Sequence, residues 1–173
     1  MRWLLFSIAL IFLNGCSDLP KAMKNGSYTD AGLNTVKADF ASYMEMPFLW
    51  GGKIINVTNK EDLSQVQLLF YPLNGFDKPQ ITVETEGRFM MSATKFLDPA
   101  VYKEGVEVTV LGVLTGKIKQ QVGEKTLTLP VLSIKHIHLW PDRRQYDNGY
   151  YLQSPYYFPR SHYRYDYYYD WYY

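Results

Sequence analysis

The chain has 173 residues, a formal net charge of +1 and a single cysteine. Near-balanced charge exerts no overall pull on phosphate backbones and no local basic patch replaces it, so nucleic-acid binding is not expected. One thiol allows no internal disulfide, which leaves the fold to a hydrophobic core.

One positive charge, Arg2, precedes an apolar run over residues 3–13. About eleven apolar residues are too few to cross a bilayer, which takes roughly 20, but they suit the core of a signal peptide. Leu13, then the small residue Gly15 directly before Cys16, resemble the bacterial lipobox, where signal peptidase II cuts and the new amino-terminal cysteine is lipidated. The alternative is an ordinary secretory signal that happens to contain a thiol. Residues 1–15 are therefore expected to be removed, with Cys16 as the lipidation site. Losing Arg2 leaves seventeen basic and seventeen acidic residues, a formally neutral mature protein. Ser17 rather than aspartate after the cysteine implies, by resemblance to other lipoproteins, sorting to the outer membrane.

Residues 16–32 read as the lipidated cysteine and a tether. The stretch is polar, carries Pro20, Gly26 and Ser27, and has no apolar period. Sixteen flexible residues reach on the order of 20 Å. From Leu33 the spacing changes: Leu33, Val36, Phe40 and Met44 share one helical face, which predicts a helix over residues 34–43, ended by Pro47.

The period then drops to two. A strand is expected over residues 50–58, with Gly51 and Gly52 marking a bulge or a sharp coil. After a polar turn at 59–62, a second strand over 63–71 places Val66, Leu68 and Phe70 on one face and Gln65 and Gln67 on the other. A loop with Gly75 and Pro79 leads to an extended stretch at 81–85 and a third strand at 87–93. Asp98 sits where an N-cap belongs and Pro99 where a first helical residue belongs, so one helical turn should run to about Lys103, stopped by Gly105. A fourth strand over 106–115 alternates Val106, Val108 and Val110 with Glu107 and Thr109. A loop over 117–125 precedes the last strand, 127–140, in which Pro130 must lie at an edge or bulge. This order predicts a mainly all-β domain over residues 33–142, a small five-stranded OB-like barrel with one or two short helices. An open antiparallel sheet or sandwich is the competing arrangement.

Residues 143–173 form a low-complexity tail. Twelve of the 28 residues from 146 to 173 are tyrosine, with neither strand nor helix period, so disorder is the simplest expectation. Tyrosines also offer rigid contact area at low entropic cost, and arginine stacks on them. Tyr156, Tyr157, Tyr168 and Trp171 in the tail, with Trp140 at the rim of the domain, are the candidate binding residues. Sugar rings or partner proteins fit such a surface; docking back on the domain, or adding a strand to it, is the third use.

Catalytic patterns are thin. His136 and His138 share a strand face but lack an obvious third ligand, so no metal is expected. Gly112, Gly116 and Lys117 echo a phosphate loop with the wrong spacing, on a strand. No serine lies in a nucleophile elbow, and His162 falls in the tail. Glu84, Glu86 and Arg88 read as an exposed strand with a surface ion pair. No catalytic residue and no cofactor is assigned.

Trp50, Gly51, Gly52, Lys53, Ile54 and Asn56, then Tyr71, Pro72 and Leu73, then Gly87, Arg88 and Phe89, then Phe96, Leu97, Asp98, Pro99 and Tyr102, then Val108, Thr109, Val110 and Gly112, and finally Leu139 and Trp140, resemble the Slp family of starvation-inducible outer-membrane lipoproteins of Gram-negative bacteria. The resemblance covers residues 16–140. It departs before Trp50, where the family tends to carry a basic, valine-containing strand start and this chain has Met46, Pro47, Phe48 and Leu49. It implies an outer-membrane anchor, a domain facing the periplasm and a link to stationary phase or stress, with no enzymatic activity. The resulting expectation is a tethered binding or scaffolding module whose partners are the membrane, through Cys16, and peptidoglycan or an envelope protein. A small envelope hydrolase acting on glycans or lipids is the alternative, and a self-associating stress protein a third.

Overall fold

A computed structural model describes residues 19–141. Three short helices, α1 (Lys21–Lys24), α2 (Leu33–Ala38) and α3 (Phe40–Tyr43), precede five strands, β1 (Pro47–Asn59), β2 (Ser64–Tyr71), β3 (Gly87–Ala93), β4 (Glu107–Val122) and β5 (Lys125–Trp140). The strands close into a barrel in the order β1, β2, β3, β5, β4. Closure needs two contacts: β1 pairs antiparallel with β4, and β3 pairs parallel with β5 at Met90, Met91 and Ser92. Together they give the strand order of an OB-type barrel and rule out the open sheet or sandwich.

Alternation along the strands fills the interior. Phe48, Trp50, Leu68, Phe70, Phe89 and Val110 all point inward and are buried. Trp50 sits among three rings, with centroids 5.0 Å from Phe48, 5.4 Å from Phe70 and 5.2 Å from Phe89, the last two edge to face. Its indole N–H donates to the Ala31 carbonyl across 2.9 Å, so the one polar atom of the cluster is satisfied. Leu33 and Val36 of α2, and Leu97 and Tyr102 from the β3–β4 connection, belong to the same core.

The expected single helix over 34–43 is split at Asp39, whose backbone (φ −133°, ψ 64°) leaves the helical region. Asp98 does act as a cap, its carboxylate accepting from the Ala100 N–H across 2.8 Å, but over a hydrogen-bonded turn rather than a helix. Residues 81–83 form turn and bend, and 84–86 join no strand, rather than an extended run. The bulge expected at Gly51 and Gly52 lies instead between Ile54 and Asn56, where the register with β2 shifts. The glycines have another use: a Cβ on Gly51 would stand 2.6 Å from the Tyr71 carbonyl oxygen, so β2 approaches β1 more closely than any side chain allows.

Two further expectations are overturned. The loop over 117–125 is mostly strand, because β4 and β5 continue past the barrel as a two-stranded arm with Val122 opposite Lys125. Gly123, at φ +59°, makes the tight turn, as a two-residue hairpin requires. Pro130 lies opposite Lys117 in this ladder, just before the residues of β5 that pair with β3, an edge position that asks for no amide on that side. The second correction concerns the tether. Leu19 and Met23 are buried, packed with Leu49, Leu111 and Trp140 on the outside of the barrel, and the Thr29 amide donates to the Pro47 carbonyl across 2.7 Å. Three buried apolar contacts and a backbone bridge outweigh the chain entropy that a glycine-dotted composition suggested.

Candidate binding face

Because Val66, Leu68 and Phe70 face inward, their neighbours on β2 face out. Pairing then sets outward residues into rows across the sheet: Lys53, Leu69 and Arg88; Asn56, Gln67, Met90 and Val131; Thr58, Gln65, Ser92 and Ser133. The β1 bulge is what brings Asn56 opposite Gln67. One end of this face is cationic, the middle combines amides with apolar side chains, and the far end is hydroxyl-rich. In OB-type barrels the corresponding strands take oligonucleotides and oligosaccharides.

Gln67 is the unusual member. It is only 9 % exposed, and its amide nitrogen has no hydrogen-bond partner. A buried donor left unpaired costs about 1–3 kcal/mol, which an acceptor reached by a small turn about the soft terminal torsion would recover.

Trp140 lies elsewhere. It is 7 % exposed, packed in the outer patch with Leu19 and Met23, and its indole N–H donates to the hydroxyl of fully buried Thr109 across 2.9 Å. His138 packs edge to face on it at 4.5 Å between centroids, and the Lys78 ammonium stands 5.7 Å above the ring. The assignment of Trp140 to a binding rim is therefore corrected: its ring is covered and its polar atom used. Cys16, Tyr156, Tyr157, Tyr168 and Trp171 fall outside the described residues.

The acidic pair near Gly87 is also rearranged. Glu86 accepts from the Asn34 amide across 2.9 Å at the start of α2, rather than pairing with Arg88, which lies on the candidate face. Lys37 of α2 reaches the Glu86 carbonyl at 3.4 Å; burial holds its amine below the ordinary value, with the Glu86 charge acting in the opposite direction. Among the described residues, no three histidine, cysteine or carboxylate side chains gather to hold a metal.

The alternation of the sequence singled out Gln65 and Gln67 as outward, but nothing in it joined them to Lys53, Asn56 or Arg88. That grouping depends on register, and the register depends on a bulge whose position the glycines misdirected.

A small closed five-stranded barrel with a polar outer face and an N-terminal segment packed against β1 and β4 is an OB-type β-barrel domain. The chain belongs to the Slp family of outer membrane lipoproteins, whose family model matches residues 13–173. It is 29 % identical to the uncharacterized lipoprotein YeaY of Escherichia coli over 75 % of this chain and 68 % of that protein. It is 26 % identical to the outer membrane protein Slp of the same organism, over 86 % and 79 %. An uncharacterized Haemophilus influenzae protein is 27 % identical over 83 % and 79 %. Among solved structures, a small single-stranded DNA-binding protein from Streptomyces coelicolor superposes with a TM-score of 0.37 at 13 % identity, covering 58 % of this chain and 97 % of that one. So loose a superposition says nothing about ligand.

Proposed function

We propose that this is a non-enzymatic module, held at the periplasmic side of the outer membrane by acyl chains on Cys16, that binds a glycan-containing envelope component, peptidoglycan first, on the outer face of β1, β2 and β3. Family membership supports the membrane, and the lipobox at residues 13–16 supports the anchor. The unpaired amide of Gln67, within a face of amides, hydroxyls and two cations, is the observation that carries the ligand class. Peptidoglycan presents carbonyl acceptors to such a donor and carboxylates to Lys53 and Arg88. A role in starvation or stationary phase goes with the family resemblance.

The test is retention of the mature protein on isolated peptidoglycan sacculi. Gln67→Leu should weaken retention about tenfold, the value of one amide hydrogen bond, while a chain ended after Asp142 reports separately on the tyrosine tail. Retention unaltered by Gln67→Leu would remove the face from the proposal. Cys16→Ala should leave an unprocessed precursor missing from the outer-membrane fraction.

A further inference from the structure

Three apolar side chains on the β2–β3 connection are left in water: Phe76 at 63 % exposure, Ile81 at 40 % and Val83 at 42 %. The connection is well tied. The Asn74 carboxamide oxygen accepts from the amides of Phe76 and Lys78 at 2.9 and 3.1 Å, and the Asp77 amide donates to the Asn74 carbonyl at 2.9 Å. Asp77 adopts φ +59°, and its carbonyl accepts from the Thr109 hydroxyl across 2.7 Å. Beside it, Lys78 pairs with Glu107 at 3.0 Å. Phe76 is thus displayed on a rigid turn, not left on a slack loop.

The position of that turn gives the display a meaning. Leu73, at its base, packs into the same outer patch as Leu19, Met23 and Trp140. Leu19 follows Cys16 by three residues, and three residues span at most about 10 Å. An acyl chain on Cys16 therefore holds this side of the barrel against the lipid surface, where the exposed aromatic and aliphatic side chains lose water. Phe96, 70 % exposed, belongs to the other end: the Leu97 carbonyl beside it accepts from Asn59, where β1 turns into β2.

We propose that Phe76, with Ile81 and Val83, enters the interfacial layer of the bilayer that carries the Cys16 acyl chains, a second lipid contact that fixes how the barrel faces the membrane. The proposal rests on acylation at Cys16, as argued above.

The chain has one native cysteine, so a new thiol can be labelled alone once Cys16 is acylated. The full processed protein carrying Phe76→Cys or Phe96→Cys is labelled with a polarity-sensitive dye and reconstituted into vesicles of phosphatidylethanolamine and phosphatidylglycerol. Dye at position 76 should shift its emission to the blue and be quenched severalfold by lipids brominated on their chains. Dye at position 96 should do neither. Acylated protein whose position-76 label stays in water, or matches position 96, overturns the proposal alone; so does a shift that needs added envelope proteins and shows no lipid quenching. An intact mass without acyl chains on Cys16 overturns the anchor and this contact with it.

Discussion

The indole N–H of Trp140 and the carbonyl of Asp77 are joined through one buried hydroxyl: Thr109 accepts from the first across 2.9 Å and donates to the second across 2.7 Å. The relay ties the end of β5 to the β2–β3 turn. Thr109→Val keeps the shape but strands a buried donor and an acceptor together, and should cost about 3 kcal/mol. Thr109→Ser keeps the hydroxyl and should cost about 1 kcal/mol for the lost methyl group. Denaturant unfolding of both variants checks the difference; equal losses would mean that packing, not the relay, matters.

Gly51→Ala drives a methyl to 2.6 Å from the Tyr71 carbonyl oxygen, a backbone atom held in the β1–β2 ladder. A loss of about 3 kcal/mol is expected. Gly116→Ala is the control, because nothing stands within 4 Å of a Cβ there, and its effect should stay within about 0.5 kcal/mol.

Met23 is fully buried between α1 and the barrel wall. Met23→Asp places a charge in that apolar patch and should release the N-terminal segment while the barrel stays folded. Tryptic cleavage at Lys21 and Lys24 should then quicken at least about tenfold, as local opening loses over 1.4 kcal/mol. Unchanged cleavage with an intact barrel would restore the flexible tether.

Burial lowers the amine of Lys37 from its ordinary value near 10.5. The unfolded chain then holds that proton more tightly, so the folded state gains as pH rises through the interval between the lowered and the ordinary value. Lys37→Met should flatten this alkaline gain relative to the wild type, measured as the difference in thermal midpoint between about pH 8 and pH 11. Its size will be small, because the side chain is largely in water.

The five strands, their order and the inward valines were legible because a period of two over each run leaves little choice of face. Where two signals competed, composition misled. Gly51 and Gly52 read as a bulge or a sharp coil, yet they serve a close approach of β2. Lys117, Gln120, Gln121 and Gly123 read as loop, yet two strands that pair with each other over sixteen residues apiece need no buried face to continue. Leu19 and Met23 lie in a stretch that reads as polar, and only the outward Leu49 and Leu111, side by side across β1 and β4, give them somewhere to go. The candidate face was half visible for the same reason: a strand pattern assigns sides, and only register assigns neighbours.

Leu19 and Trp140 lie at the two ends of the described residues and share one patch. A pull applied between the two ends of the described residues is therefore borne across that patch, by shear over a few side chains. The closed barrel sits outside that line, and its ladders need not unzip when the two ends are drawn apart.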